Sequence, residues 1–225
     1  MWCVAELDEE YIARMEDVLD LYERPLDAAE PVVCLDERPV ALHGQTRPAS
    51  RVKPCRPARY DYEYVRNGTA NIFCAVQPLA GKHITKVTPS RRGVEFAKML
   101  GEIARRYRRA RSIHLVLDNL STHSAASLCR QYGNEQGMRL WSRFAIHHTP
   151  KHGSWLNQAE IGIGLLNRQC LDKRRLVDGG ALRQEVRAWT RRANGARLPI
   201  AWRFTAEKAR ITFGYKPTAC TRSED

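Results

Sequence analysis

The sequence predicts an α/β protein in which a mixed sheet is flanked by helices. Two observations carry this prediction. Strand-like runs recur between residues 31 and 88, and helical and strand patterns alternate from about residue 94 onward. Three consecutive antiparallel strands followed by alternating helices and strands are typical of a mixed sheet with helices packed against it. With 225 residues, the chain is long enough for one domain with a sizeable core.

The chain opens with a helical pattern and then changes to a strand. Residues 8–23 place apolar side chains on one helical face, and Pro25 ends the pattern. Residues 31–36 form a short apolar run that closes on an acid, as a buried strand would. Residues 38–60 are rich in proline and arginine and lack apolar periodicity, so they predict a basic loop.

The next segment gives a hairpin signal. Residues 61–66 alternate, Asn67-Gly68 is a favoured two-residue turn, and the apolar run resumes at residues 70–76. A third strand is predicted at residues 83–88. These three strands supply the antiparallel part of the predicted sheet.

The rest of the chain alternates between helical and strand patterns. The predicted elements are a helix at 94–109, a strand at 112–117, a helix at 122–133 with Ser121 as N-cap, a strand at 143–148, a helix from Ser154 to about Lys173, a helix at 179–193 and an irregular tail after Pro199.

Charge is unevenly distributed along the chain. The formal net charge is +12, yet residues 1–37 hold twelve acids and two bases, and residues 38–225 hold 35 bases and 13 acids. A body this basic indicates a polyanionic partner, most often nucleic acid, whereas the simpler interpretation is a solvated charged surface. Seven dispersed cysteines without a C-x-x-C motif argue against a zinc ribbon and a disulfide framework. No apolar run is long enough to predict a membrane partner, and no secretion signal is expected.

Three acids stand where metal chemistry would need them. Asp36 and Asp118 each close an apolar strand, and the ends of strands in α/β sheets are common ligand sites. Glu160 is the acid of an otherwise largely apolar helix. Three carboxylates converging on one point would repel each other unless cations neutralise them, and hard divalent cations prefer oxygen ligands. The alternative is that each acid is simply exposed at a turn or on a helix surface.

These acids lie in motifs that resemble a known family. The segments are VVCLDE around Asp36, DYEYVRNGTANIF at residues 61–73, LVLDNLSTHS around Asp118 and HHTPKHGSWLNQAEI around Glu160. They resemble the DDE transposases of bacterial insertion sequences, in the mariner-related branch known as insertion-sequence family six-thirty. The resemblance extends from near residue 2 to about residue 217.

The resemblance implies a ribonuclease H-like fold with a triad of Asp36, Asp118 and Glu160 that binds two Mg²⁺ or Mn²⁺ ions. It implies nicking of double-stranded DNA at transposon ends and attack of the freed 3′-OH on target DNA. A homodimer acting on paired ends is also implied. In domain terms we expect an acidic helical linker remnant at 1–30, a catalytic domain at 31–197 and a C-terminal tail at 198–225.

Other residues are candidates for supporting roles. Asn119 and Asn157 flank two of the acids and could orient a carboxylate or a phosphate, although turn formation and helix capping explain them equally well. His152 and Lys151 are candidates for DNA contact near Glu160. The predicted basic loop offers further phosphate contacts, at Arg47, Arg51, Lys53 and Arg56.

Two alternatives concern the metal site itself. Glu37 follows Asp36 directly, and because successive strand residues point to opposite faces, Asp36 is the preferred ligand. Four histidines near the acids raise the question of zinc, but their spacing lacks a zinc pattern. These four histidines are His123, His147, His148 and His152.

The family's helix-turn-helix recognition domains have no counterpart in this sequence, so we expect a truncated or split product with non-specific DNA affinity. An inactive DNA-binding remnant and a nuclease of the same fold are the alternatives. We expect a bacterial cytoplasmic protein associated with the nucleoid, in a reducing compartment.

Overall fold

A computed structural model describes residues 7–47, 54–57, 62–172 and 174–216. One five-stranded sheet has the order β3-β2-β1-β4-β5. The strands are β1 Val32–Gln45, β2 Tyr64–Gln77, β3 Lys82–Thr88, β4 Ile113–Leu117 and β5 Phe144–His148. The helices are α1 Glu9–Glu23, α2 Gly93–Arg106, α3 Ala125–Tyr132, α4 Asn134–Trp141, α5 Ala159–Leu166, α6 Gly179–Ala196 and α7 Ala206–Phe213.

The sheet is mixed and carries helices on both faces. The pairings of β1 with β2 and of β2 with β3 are antiparallel, while those of β1 with β4 and of β4 with β5 are parallel. On one face, Leu35 and Leu115 pack against α2 in the main core cluster. On the other face, Cys34 and Val116 pack against α1, α5 and α7. The predicted α/β class with a mixed, helix-flanked sheet is confirmed.

The acidic helix α1 is part of the core. Asp8 caps its N-terminus by accepting a hydrogen bond from the Tyr11 amide. Its apolar side chains Met15, Val18 and Leu19 are fully buried against the sheet. Its acids face outward or pair with the body, as Glu16 does with Arg210 at 2.7 Å. The charged and apolar faces of this helix therefore follow its sequence periodicity.

The predicted hairpin at Asn67-Gly68 is wrong, because both residues lie inside the single strand β2. The register with β1 passes from Ala41 opposite Thr69 to His43 opposite Arg66, so β2 carries one extra residue there. This is a β-bulge, and Gly68 adopts the positive φ of 93° that such a position favours. The Asn-Gly pair thus forms a β-bulge inside one strand, and not the predicted turn between two strands.

The predicted basic loop is also wrong in its first part, because β1 continues through residues 38–45. The parallel register with β4 ends at the pair Cys34 and Val116, and beyond that point no described strand pairs with this edge of β1, although the His43 amide donates to the Leu176 carbonyl. Pro39 can occupy this edge because its missing N–H is not needed by a neighbouring strand.

The helical segments around the second and third acids differ from expectation. The helix predicted at 122–133 begins at Ala125, with Ser124 instead of Ser121 at the N-cap position. Gly133, with φ 84°, separates it from α4, which the pattern did not predict. The long helix predicted from Ser154 is divided into a 3₁₀ turn, the helix α5 and a π-helical segment at Asn167–Leu171.

The tail after Pro199 is not irregular throughout, because it contains α7. Thr205 caps this helix by accepting from the Lys208 amide, and Ala206 and Ala209 pack in the same cluster as α1. Cys34 and Cys74 are buried and unpaired, as predicted. In the described part of the chain, no helix has the length and apolar character needed to cross a membrane.

Candidate active site

Asp36 and Asp118 occupy equivalent positions on two neighbouring parallel strands. Cys34 of β1 is paired with Val116 of β4, and each aspartate stands two residues further along its strand direction. Since side chains alternate along a strand, Asp36 shares the sheet face of Cys34. Asp118 follows the last residue of β4, where the chain leaves the sheet. Strand pairing therefore brings the first two predicted acids side by side.

Glu160 reaches the same sheet face through helix α5. The helix packs closely on β2, because a Cβ added to Gly162 would lie 2.6 Å from Val76 Cγ2. Its N-terminal end is tied to β1 by Asn157, whose buried amide donates to the Leu35 carbonyl at 2.8 Å and accepts from the Ala159 amide at 3.1 Å. Glu160, one residue further on, is thereby fixed relative to Asp36.

The electrostatics of Asp36 show that the three acids share one neighbourhood. Burial, together with the negative charges of Glu37, Glu160 and Asp118, raises the pKa of Asp36 to about 7. The Glu37 amide, which donates to Asp36 Oδ1 at 2.7 Å, acts in the opposite direction. Burial also raises the pKa of Glu160, against a hydrogen bond from Ser154. Among the described residues, no cationic side chain lowers the pKa of Asp36, and a bound cation would favour its charged form.

Within the described residues, no group of three or more His, Cys, Asp or Glu side chains is arranged to hold a metal ion as it stands. The donors nevertheless fit the expected ions, because carboxylate oxygens are the ligands that Mg²⁺ and Mn²⁺ prefer. A pair of bound ions would have to draw Glu160 and the two aspartates closer together.

The structure also reveals two functional candidates, Glu37 and His123, that the sequence did not single out as partners. His123 Nε2 lies 2.7 Å from Glu37 Oε1, and its Nδ1 lies 2.8 Å from Asp118 Oδ1 in an ionic contact without hydrogen-bond alignment. The side chains of His123 and Glu37 are only 1% and 2% exposed. The one indication of this pair in the sequence was strand alternation, which places the Glu37 side chain on the sheet face opposite to that of Asp36.

This contact sets the charge states of the two partners. Although burial alone would lower it, the carboxylates of Asp118 and Glu37 raise the pKa of His123 to about 9. Burial acts to raise the pKa of Asp118, but the contact with His123 outweighs it and the net shift is downward. The buried imidazole is therefore an imidazolium at neutral pH, and Asp118 is an ionised carboxylate.

The other candidate residues fall into two groups. Asn119 donates to the Thr149 carbonyl at 3.2 Å, which fixes the loop after β5 next to Asp118. Exposed His152 and Lys151 follow on that loop and line an open groove of about 580 Å³. The groove continues to Glu10 on α1. Asn119, the residue after Asp118, also lines this groove.

The basic residues predicted to contact phosphates are less completely described. Arg47 and Arg56 are exposed, beyond the end of β1 and in the short segment 54–57. Arg51 and Lys53 lie outside the described residues. Asn157 is engaged with the backbone of two elements and is buried, so its geometry matches the capping interpretation.

Comparison with known proteins agrees with this architecture. Residues 31–183 match a family model described as "DDE superfamily endonuclease". No curated protein sequence matches the chain. The three candidate acids, Asp36, Asp118 and Glu160, all lie inside the matched range.

Solved structures of the Mos1 mariner transposase are similar in fold. A pre-cleavage Mos1 transpososome is 14% identical with a TM-score of 0.57, over 97% of this chain and 67% of that chain. The Mos1 paired-end complex with Mn is 14% identical with a TM-score of 0.55, over 85% and 58%. The paired-end complex with Mg is 15% identical with a TM-score of 0.55, over 97% and 66%.

These similarities confirm the predicted ribonuclease H-like α/β class, and the chain spans about three fifths to two thirds of those longer chains. The match of the family model covers more than half of the 225 residues. On this evidence the chain belongs to the DDE superfamily endonuclease family.

Proposed function

We propose that the chain is the catalytic domain of a metal-dependent DNA transposase of the bacterial, mariner-related insertion-sequence branch. The observation that carries this proposal is the placement of Asp36 and Asp118 at equivalent positions of paired parallel strands, with Glu160 held over the same face. The family match and the Mos1 neighbours, which are DNA complexes solved with Mn or Mg, support the same chemistry.

In this proposal Asp36 and Asp118 hold two Mg²⁺ or Mn²⁺ ions jointly, and Glu160 holds one of them. Two such ions lower the pKa of a bound water and stabilise charge on the scissile phosphate. Asp118 meets this role as an ionised carboxylate, because His123 keeps its pKa low. Asp36 must lose a proton near neutral pH as cations bind, since its pKa in their absence is about 7.

The remaining parts of the chain position DNA. Lys151, His152, Arg47 and Arg56 are exposed and are proposed to contact phosphates, as are Arg51 and Lys53. Phosphate contacts position a duplex without reading its sequence. We further propose a homodimer that acts on paired transposon ends, in a bacterial cytoplasm where the protein associates with the nucleoid.

Nicking of supercoiled plasmid DNA tests the catalytic assignment. We expect Mg²⁺-dependent nicking by the wild-type protein and a loss of at least about 100-fold in Asp118→Asn, because that variant keeps the volume but loses a charged ligand. Glu135→Gln, which neutralises an exposed acid on α4, is the matched control and should nick normally. Equal nicking by wild type and Asp118→Asn would remove the support for the triad.

A strand-transfer assay separates a transposase from a nuclease of the same fold. An oligonucleotide ending in a free 3′-OH is incubated with target plasmid, and covalent joining is followed on a denaturing gel. Joining that depends on Asp118 supports the transposase, whereas nicking without joining indicates a nuclease. Absence of both reactions, with retained DNA binding, indicates an inactive remnant.

A further inference from the structure

We propose that His123, held by Glu37, is a positioning residue that fixes the Asp118 carboxylate so that one of its oxygens is left for a cation. This inference rests on the proposed function, because it assigns Asp118 as a metal ligand. It adds to the DDE triad a buried pair of side chains, Glu37 and His123, that reaches no substrate itself.

The geometry of the His123 ring carries the first step. Its Nε2 lies 2.7 Å from Glu37 Oε1, and its Nδ1 lies 2.8 Å from Asp118 Oδ1. The ring also stacks on Phe96 of α2, with centroids 4.5 Å apart and an angle of 24° between the planes. Because Phe96 is fully buried in the main core, the imidazole is held on its face as well as at both nitrogens.

The second step concerns which carboxylate oxygens the protein uses. The contacts described to Asp118 from the His123 ring and the Leu120 amide both go to Oδ1. Asp36 shows the same arrangement, since the Glu37 amide donates to its Oδ1. In each aspartate the protein thus engages one oxygen, which orients the group and directs the other oxygen to a different partner. Groups that hold a ligand in this way commonly tune metal affinity.

The third step explains the presence of Glu37. The Asp118 side chain is 36% exposed, whereas the Glu37 side chain is only 2% exposed, so Glu37 anchors the His123 ring from the protein side. Glu37 lies next to Asp36 but projects to the opposite sheet face, toward α2. The pair therefore connects the backbone segment that bears Asp36 to the side chain of Asp118.

Direct Mn²⁺ binding tests this inference independently of activity. The metal dissociation constant is measured by calorimetry for the wild type, His123→Asn and Glu37→Gln, and the midpoint of thermal unfolding is recorded for each. We expect either substitution to weaken Mn²⁺ binding about 10- to 100-fold. Since the two residues act as a unit, the double variant should be no weaker than His123→Asn alone.

His83→Asn is the matched control. His83 is also buried, but no hydrogen bond reaches its ring nitrogens in the described structure, and its ring packs against Trp189 and lies near Gly162. None of the three acids contributes to the lowered pKa of His83, which burial causes. It should leave Mn²⁺ affinity unchanged, which separates loss of a buried histidine from loss of positioning. If Glu37→Gln and His123→Asn remain folded and bind Mn²⁺ as the wild type does, the inference is overturned. If the wild type itself binds no Mn²⁺, the proposed function fails first.

Discussion

At the scale of single residues, Asn157 shows how one buried amide can set the geometry of a site. It donates to the carbonyl of Leu35, the residue before Asp36, and accepts from the amide at the start of α5. It therefore couples the strand that bears the first acid to the helix that bears the third. No phosphate contact is needed to account for its place in the sequence.

Asn157→Ala should lower the free energy of unfolding by about 1–3 kcal/mol, because the Leu35 carbonyl would lose its buried partner. It should also reduce nicking, since Glu160 would no longer be held relative to Asp36. Guanidinium unfolding and the plasmid assay check both effects. Asn119→Ala is the control for stability, because Asn119 is exposed and its part-buried hydrogen bond to Thr149 should contribute under about 1 kcal/mol. Equal stability losses in the two variants would contradict this assignment.

At the scale of elements, the close approach of α5 to β2 decides where Glu160 stands. The helix carries two glycines two residues apart, and they face different surroundings. A Cβ at Gly162 would meet Val76 Cγ2 at 2.6 Å, whereas a Cβ at Gly164 would meet only the end of the Arg168 side chain at 3.4 Å. The first glycine permits contact with the sheet, and the second does not serve that purpose.

Gly162→Ala should therefore destabilise the protein by about 1–3 kcal/mol through overpacking and should reduce nicking by displacing Glu160. Gly164→Ala, in the same helix, should be neutral or stabilising by up to about 1 kcal/mol, because alanine favours helix and the guanidinium end can move. Thermal unfolding and nicking of the two variants form a matched pair. A Gly162→Ala protein as stable and active as Gly164→Ala would argue against tight packing of α5 on β2.

At the scale of the whole molecule, the net charge of +12 divides into an acidic N-terminal segment and a basic body. The acidic helix α1 packs on the body and is not free of it, since Glu16 pairs with Arg210. Its N-terminal end forms one wall of the groove that holds Lys151 and His152. Because Asp8 and Glu10 line this groove together with Lys151, these acids would oppose the phosphate contacts proposed there.

Lys151→Ala should weaken DNA binding to a similar degree for all sequences and reduce the salt slope of log K by about 0.9. Lys82→Ala is the control, because Lys82 begins β3 at the sheet edge opposite the acids. Filter binding at several salt concentrations measures both. A salt slope that is unchanged in Lys151→Ala would remove this residue from the DNA path.

The acids also make the metal-free protein sensitive to pH. The pKa of Asp36 is raised from 3.8 to about 7, and that of His123 from 6.5 to about 9. Between the two pKa values of each group, the folded state therefore binds more protons than the unfolded chain. The contribution of these groups to the free energy of unfolding therefore falls as pH rises from about 4 to about 9.

In EDTA, the melting temperature of the wild type relative to Asp36→Asn should fall between pH 4 and pH 7. Relative to His123→Asn it should fall between about pH 6.5 and pH 9. Mg²⁺ at pH 8 should raise the wild-type melting temperature, because it binds the folded state only. A wild-type value in EDTA that rose with pH relative to both variants would contradict the assigned shifts.

Local sequence patterns predicted the class of the fold and singled out the acids that we propose for the site. Apolar runs that close on Asp36 and Asp118 identified two strands, because strand burial depends mainly on short stretches of hydrophobic sequence, but β1 continues past Asp36 to Gln45. The amphipathic pattern also predicted α2, and the dispersed cysteines argued against a disulfide framework. The positions of the three acids followed from these runs together with the family motifs around them.

Only the tertiary structure decided how Asn67-Gly68, Ser154 and His123 are used. An Asn-Gly pair suits both a turn and a bulge, and the register of β2 against β1 selects between them. The segment after Ser154 is divided into three helical pieces, and it contacts β1 at Leu35 and β2 at Val76, which are remote in sequence. His123 joins Glu37 across 86 residues. Contacts at such separations depend on how the sheet is assembled, and no local pattern encodes that assembly.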